Sequence, residues 1–179
     1  MMNPLEALDA REAALRAQIP RYGYFEERQP QVEAAGLPAQ WSQIIDEYAE
    51  LLRDPVCGIE ALRRAVFLVW YSYNEPWQLT GIRNVNPSSE LEVLLRLEDE
   101  LRSSEPDLEL RSMLNAYGPS LPFDLHPELK ATATFLKSTT GTCYAHVPLP
   151  TLETRGEMGA YWLSRNDLPN KPLQPPSGA

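Results

Sequence analysis

The sequence predicts a mainly α-helical protein: a helical bundle, or a short stack of helical hairpins, with an irregular or short-stranded C-terminal segment. Three observations carry this. Apolar residues recur at i, i+3, i+4 and i+7 in several separate stretches. Asn-Pro, Asp-Pro and Gly-Pro pairs punctuate those stretches at helical spacing. Alternation of the kind a strand needs occurs only weakly, within residues 128–138.

Asn3-Pro4 opens the first helix, with Asn3 as cap and Pro4 in the first turn; it should run to about Gln18 on Leu5, Leu8 and Leu15. "RYGYFEERQPQVEAAGLP" holds Gly23, Pro30, Gly36 and Pro38 and reads as a long surface loop. From Ala39, the apolar residues Trp41, Ile44, Ile45, Tyr48, Leu51 and Leu52 mark an amphipathic helix that ends at Asp54-Pro55.

The next helix should span Ile59 to Asn74. Ile59, Leu62, Val66, Val69, Trp70 and Tyr73 form one face, and Phe67, Leu68 and Tyr71 make the other apolar too. A helix apolar nearly all round is a buried one, so this is the expected central helix. Pro76 disfavours helical geometry at Glu75 and stops it. Asn86-Pro87 opens a further helix with Leu91, Leu94, Leu95 and Leu101 inward. "SEPD" at Ser104 has capping-box spacing before the stripe Leu110, Met113, Leu114 and Tyr117. "PELKATATFLK" suits a strand (Leu129, Ala131, Ala133, Phe135) or a helix (Leu129, Ala133, Leu136) equally. "TCYAHVPL" reads as a short extended segment. Residues 1–167 are expected to form one domain, and the proline-rich residues 168–179 an extended or disordered tail.

The chain has 179 residues, 43% hydrophobic and 23% charged, the proportions of an ordinary globular protein. Its start shows no basic residue followed by an apolar run, and no segment has the roughly 18 apolar residues of a membrane span. Only Cys57 and Cys143 are present, too few for a disulfide framework. The expectation is a cytoplasmic protein with free thiols and no membrane partner.

The net charge of −9 is concentrated. Residues 86–128 carry ten acids against three bases, net −7. Nucleic acid is an unsuitable partner, because phosphates must be neutralised by Lys and Arg. A protein with a basic surface suits it. Glu92, Glu98, Asp99, Glu105 and Glu109 lie outside the leucine stripes, so they are expected to be exposed and to form the partner-binding face.

"ELLRDPVCGIEALRRAVF" and "DELRSSEPDLELRSMLNAY" share a plan: leucines ending one helix, an Asp/Pro turn, then a helix opening at Leu62-Arg63 or Leu110-Arg111. This resembles the helix-turn-helix unit of HEAT-type repeats over two short stretches. The resemblance implies a binding scaffold rather than an enzyme.

Two further stretches carry candidate site residues. "FLVWYSYNEPWQLTG" places Glu75 among aromatic residues, where a carboxyl could act as a general acid and rings could stack on a sugar. Tyr71, Glu75 and Trp77 are its candidate residues, although Trp70 and Tyr73 belong to the core face of the helix and Tyr71 points elsewhere. Cys143 and His146 pair a thiol with an imidazole, but three residues apart in a strand they face opposite sides. His126 has no neighbouring ligand type, and nucleotide-loop, hydrolase and metalloprotease motifs are absent from the sequence. No cofactor or metal is expected. The leading expectation is a protein-binding module with an acidic helical surface, such as an inhibitor or immunity-type protein for a basic partner. The alternative is a small-molecule or carbohydrate-binding protein, or an enzyme, centred on Glu75.

Overall fold

A computed structural model describes residues 3–105, 107–117, 128–138 and 154–166. Nine helices and no strand occur among the described residues: α1 Pro4–Gln18, α2 Phe25–Ala34, α3 Leu37–Leu51, α4 Gly58–Asn74, α5 Trp77–Thr80, α6 Pro87–Arg102, α7 Leu108–Tyr117, α8 Lys130–Ser138 and α9 Gly156–Asn166. The mainly α class predicted by periodicity is the class observed. The segment around Cys143 and His146, His126 and the 168–179 tail lie outside the described residues.

Local chemistry sets the helix starts. The Asn3 carboxamide accepts the Leu5 N–H at 3.0 Å, and the Asn86 carboxamide accepts the Ser88 N–H at 3.1 Å. Each satisfies a donor that the first turn leaves without an intrahelical partner. Asp54 bonds the Val56 and Cys57 N–H groups and shapes the turn between α3 and α4. Gly58 begins α4 where an added Cβ would come within 2.7 Å of the Leu52 carbonyl oxygen. That close approach lets α3 and α4 pack side by side.

α4 is the central helix. It packs against α3, α6 and α9, while α1 joins α3 to α9. Ala61, Leu62, Ala65, Val66, Phe67, Leu68 and Val69 are all buried, as are Trp41, Ile44, Ile45 and Tyr48 facing them from α3. Tyr73 departs from the expected core face: it is 51% exposed at the end of α4, and its hydroxyl bonds Glu90 Oε1 at 2.6 Å.

Four sequence expectations change. The stretch read as a loop contains α2, because Glu27 reaches back to the Tyr24 N–H at 3.0 Å and Val32 is fully buried. Pro30 lies inside α2 and is tolerated in this short surface helix. The inner face of α6 is Val93, Leu94, Leu97 and Glu98, so Leu95 turns outward and is 40% exposed. The cap of α7 is Asp107, which accepts the Leu110 N–H at 2.7 Å, and Ser104 is exposed. The second helical hairpin does not repeat the first: α6 packs mainly on α3, α4 and α8 rather than along α7. The ambiguous segment resolves as helix α8, with Leu129 and Thr132 buried.

The aromatic run of α4 joins α9. Phe67 lies 5.0 Å from Tyr71 and 5.3 Å from Tyr161, and Trp70 lies 5.5 Å from Tyr161, ring centre to ring centre. Such pairs add to area burial by about 0.5–1.5 kcal/mol each. Trp70 is only 7% exposed. Trp70→Ala should therefore destabilise the fold by roughly 3–5 kcal/mol, through lost transfer energy and a cavity at the α4–α9 contact. Chemical denaturation measures this, and a wild-type midpoint would contradict the core assignment.

Candidate functional site

Glu60, Arg63 and Arg64 of α4 meet in a cluster that ties together α4, α7 and the start of α9. Arg155 grips both oxygens of Glu60 and also bonds Glu109. Arg63 holds Asp107 through two hydrogen bonds at 3.0 and 2.6 Å, and reaches Glu60 at 3.2 Å and Glu109 at 2.9 Å. Arg64 donates to Glu60 at 2.9 Å and to the Thr154 carbonyl at 2.8 Å. Three guanidinium groups thus meet three carboxylates, and the cluster is charge-balanced. Burial alone would push Glu60 and Asp107 up, but the guanidinium bonds hold both carboxyls below their ordinary range.

Beside it lies a second buried group. Tyr48 Oη donates to Glu12 Oε1, the Glu157 N–H donates to Glu12 Oε2, and Arg64 approaches Tyr48 Oη at 3.4 Å. The Gly156 N–H donates to Asp9. The first turn of α9 is therefore capped by two carboxylates from α1. Gly156 sits at φ 60°, and an added Cβ would strike the Glu12 carboxylate. Any side chain there would meet both backbone strain and collision. Desolvation by burial pushes the Glu12 carboxyl from 4.5 up to about 7, against the pull of its hydrogen bonds and Arg64. Neither group is placed to act on a substrate: Glu12 is 1% exposed and Tyr48 fully buried. Arginines do not exchange protons near neutrality, so the three guanidinium groups of the neighbouring cluster are not general acids.

The acidic candidates divide. Glu98 is buried, which corrects its expected exposure. Its carboxylate accepts the Ala131 and Thr132 N–H groups at 2.8 Å and the Thr132 hydroxyl at 2.9 Å, and pairs with Arg102 at 2.7 Å. It caps α8 from outside, where Leu129 has no side-chain acceptor to offer. Burial would raise its carboxyl, but those donors hold it below the ordinary range. Glu109 is corrected likewise: it is half-buried in the arginine cluster. Asp99 and Glu105 are exposed, and Glu92 is half-exposed and pairs with Arg53 at 3.2 Å. Asp99 and Glu92 line a groove of about 450 Å³ with Leu52, Leu91, Leu95 and Arg96. Leu91 and Leu95, one turn apart, give α6 a second apolar side.

The aromatic candidates divide as well. Tyr71 belongs to the ring cluster with Phe67 and Tyr161. Glu75 and Trp77 do come together, lining a groove of about 420 Å³ with Tyr73, Arg83, Asn84 and Glu90. The Arg83 guanidinium lies 4.7 Å from the centre of the Trp77 ring. Asn84 is at φ 56°, a left-handed conformation that few residues other than glycine adopt. Sequence reasoning missed Glu90, because it lies on another helix with nothing in the chain pointing to Glu75.

Among the described residues no group of three or more His, Cys, Asp and Glu is arranged to hold a metal ion. Cys57 is a buried free thiol, pushed up first by burial and then by Asp54, and so a poor nucleophile. No helix among the described residues is long and apolar enough to cross a membrane. No protein-family model, curated protein or solved structure matches the chain.

Two predictions follow from this geometry. Glu98→Ala leaves the first N–H groups of α8 unpaired and should cost about 1–3 kcal/mol. Glu109→Gln should also lower stability by removing one arm of the cluster. The Asp99→Asn, Glu105→Gln double variant should keep the wild-type melting temperature. Thermal unfolding of the three separates internal from surface carboxylates, and equal melting temperatures would refute the division.

The second concerns pH. The folded protein holds the Glu12 proton more tightly than the unfolded chain, so between pH 4.5 and about 7 the folded state binds more protons. Stability should fall as pH rises through that window and level off above it, while the contribution of Glu60, Glu98 and Asp107, whose carboxyls are held low, is present above the ordinary carboxylate range and is lost as pH falls below it. Glu12→Gln should flatten the slope of unfolding free energy from pH 5 to 7. An unchanged slope would assign it to another group.

Proposed function

We propose that this chain is a protein-binding module whose α6 surface receives a basic, amphipathic segment of a partner protein. The observation that carries the reading is the second apolar side of α6. Leu91 and Leu95 line an open groove of about 450 Å³, with Glu92 and Asp99 along it. Apolar anchors at i and i+4 spacing with charged rims are what a helix-in-groove interface uses. Glu105 extends the acidic edge beyond the end of α6. Arg53 and Arg96 also line the groove, paired with Glu92 and Glu100 at 3.2 and 3.4 Å. The Arg53–Glu92 pair is exposed and holds weakly, so a cationic partner can replace it. An inhibitor or immunity-type role against a basic protein is one concrete form of this reading.

The test needs a partner, recovered by co-purification and identified by mass spectrometry. With it in hand, Asp99→Asn with Glu105→Gln should slow association and flatten its salt dependence. Leu95→Ala should instead speed dissociation. Association of the charge variant at the wild-type rate in low salt would remove the acidic edge from the interface.

A second reading, binding of a small molecule or carbohydrate, is favoured by the Glu75 groove. It brings an indole ring and two carboxylates, Glu75 and Glu90, to one concave surface beside Asn84. Tryptophan fluorescence titrated with a panel of mono- and disaccharides tests it. A saturable change lost in Trp77→Ala would support a ligand site, and a flat response across the panel would count against the carbohydrate form.

A further inference from the structure

A separate surface has the opposite charge. A cleft of about 610 Å³ lies between α1, the turn that follows it and the start of α9. Arg16, Arg21 and Arg28 line it, with Ile19 and Leu79 as apolar floor and Glu157 at one side. In a chain of net charge −9, three arginines against one glutamate is a local reversal.

Those arginines are not all spoken for. Among the described residues, nine arginines have a carboxylate within 4.0 Å. Arg16 is one of them, paired with Glu157 at 3.2 Å. Arg21 and Arg28 have no carboxylate partner among the described residues. Arg28 instead donates to the backbone carbonyls of Gly23 and Arg21, at 2.9 and 3.0 Å. Neutral carbonyls orient its guanidinium without cancelling the charge. The same two bonds brace the turn that carries Arg21.

That braced turn carries aromatic surface. Tyr22 is 86% exposed, Tyr24 80% and Phe25 46%. Gly23, at φ 100°, bends the chain between the two tyrosines. Three exposed rings within four residues run against the ordinary cost of leaving such surface in water. Tyrosine, phenylalanine and arginine are also the residues enriched at the centres of protein interfaces. A turn already held in place loses little freedom when it binds.

The rings decide the size of the occupant. They follow Arg21 directly in the chain but do not line the cleft, so one small anion seated on the arginines would leave them uncovered. A chain segment reaches both. Nucleic acid is disfavoured by the acidic charge of the rest of the protein. We propose that this cleft and the Tyr22–Phe25 turn form a docking site for an acidic segment of a partner protein, its carboxylates meeting Arg21 and Arg28 and its apolar side chains meeting the exposed rings. This goes beyond the α6 reading. It uses α1, α2 and α9, none of which lines the α6 groove, and a partner segment of opposite charge.

The test uses the full chain and a set of labelled synthetic peptides, about four turns of helix or less in length, in which Glu alternates with Leu or Phe. Fluorescence anisotropy should show saturable binding by members of the set, weakened by added salt. Counterparts with Lys for Glu should not bind. Arg21→Ala and Tyr24→Ala should each weaken binding by about tenfold or more, while Asp99→Asn leaves it unchanged. Both test side chains are exposed, so thermal melts should match wild type. If either variant melts early, Tyr22→Ser replaces it. No saturable binding by any peptide would overturn the proposal, as would binding that both variants retain. Inorganic phosphate or citrate that displaces the peptides at micromolar concentration would reassign the cleft to a small anion. An Arg21-dependent dimer in sedimentation would reassign it to a second copy of this chain.

Discussion

One carboxylate, Glu60, accepts hydrogen bonds from Arg63, Arg64 and Arg155, and the arrangement of α4, α7 and α9 depends on it. Two of those arginines come from the same helix as Glu60, at i+3 and i+4. The third arrives from 95 residues away, at the threshold of α9. Because Arg155 also holds Glu109 and Arg63 also holds Asp107, the contact spreads to the start of α7. The hydrophobic face of α9, with Met158 and Trp162, is thereby placed on the rest of the core. Greasy contact alone would allow α9 to slide or rotate; a two-pronged Arg–carboxylate bond has one good geometry.

Burying charge has a cost of several kcal/mol per ion, and attraction repays it only when each lone pair and proton is used. The balance here is three cations against three anions, with remaining Arg64 donors directed to Tyr48 and the Thr154 carbonyl, and with Asp107 also accepting the Leu110 N–H in the first turn of α7. The cluster's value is therefore in selecting one packing of the helices more than in raw stability. Glu12 is the contrasting case. It is more deeply buried, the cation acting on it, Arg64, is shared with Glu60, and the fold resists its ionisation as it does that of Glu157.

Much of the fold was legible. Asn-Pro caps, the stripe of α3 and the all-round apolarity of α4 are local signals, and each was enough to set an element. Where the local signal is ambiguous or misleading, the deciding partner in two cases lies far away in the chain. α8 alternates like a strand in part, yet it is helical because Glu98, 33 residues earlier, bonds its first turn. The same bond removed Glu98 from the surface on which its sequence position placed it. Leu95 suggested an inward leucine, but α6 turned Val93 and Leu97 inward in its stead. α2 hid behind its glycines and proline because one buried valine and a reach-back by Glu27 suffice for a short surface helix. Of the candidate site residues, Glu75 and Trp77 were found together and Tyr71 was not. Glu60, Arg63 and Arg64, three charged residues on a helix otherwise apolar all round, were the visible signal for the internal cluster.

The capping of α9 by α1 also has a bearing on how the chain is made. Glu12 and the backbone it bonds at Glu157 are 145 residues apart, and Asp9 and Gly156 are 147 apart. On a ribosome adding about 5–20 residues per second, α1 emerges many seconds before the helix it is to cap. Until then the Glu12 carboxylate has no reason to leave water. The helices from α1 to α6 can associate through their leucines during synthesis, but the α1 surface stays unfinished, with Leu8 and Leu15 only partly covered. The last step is the arrival of Gly156, and a nascent chain stalled short of it is the form most exposed to chaperones and proteases.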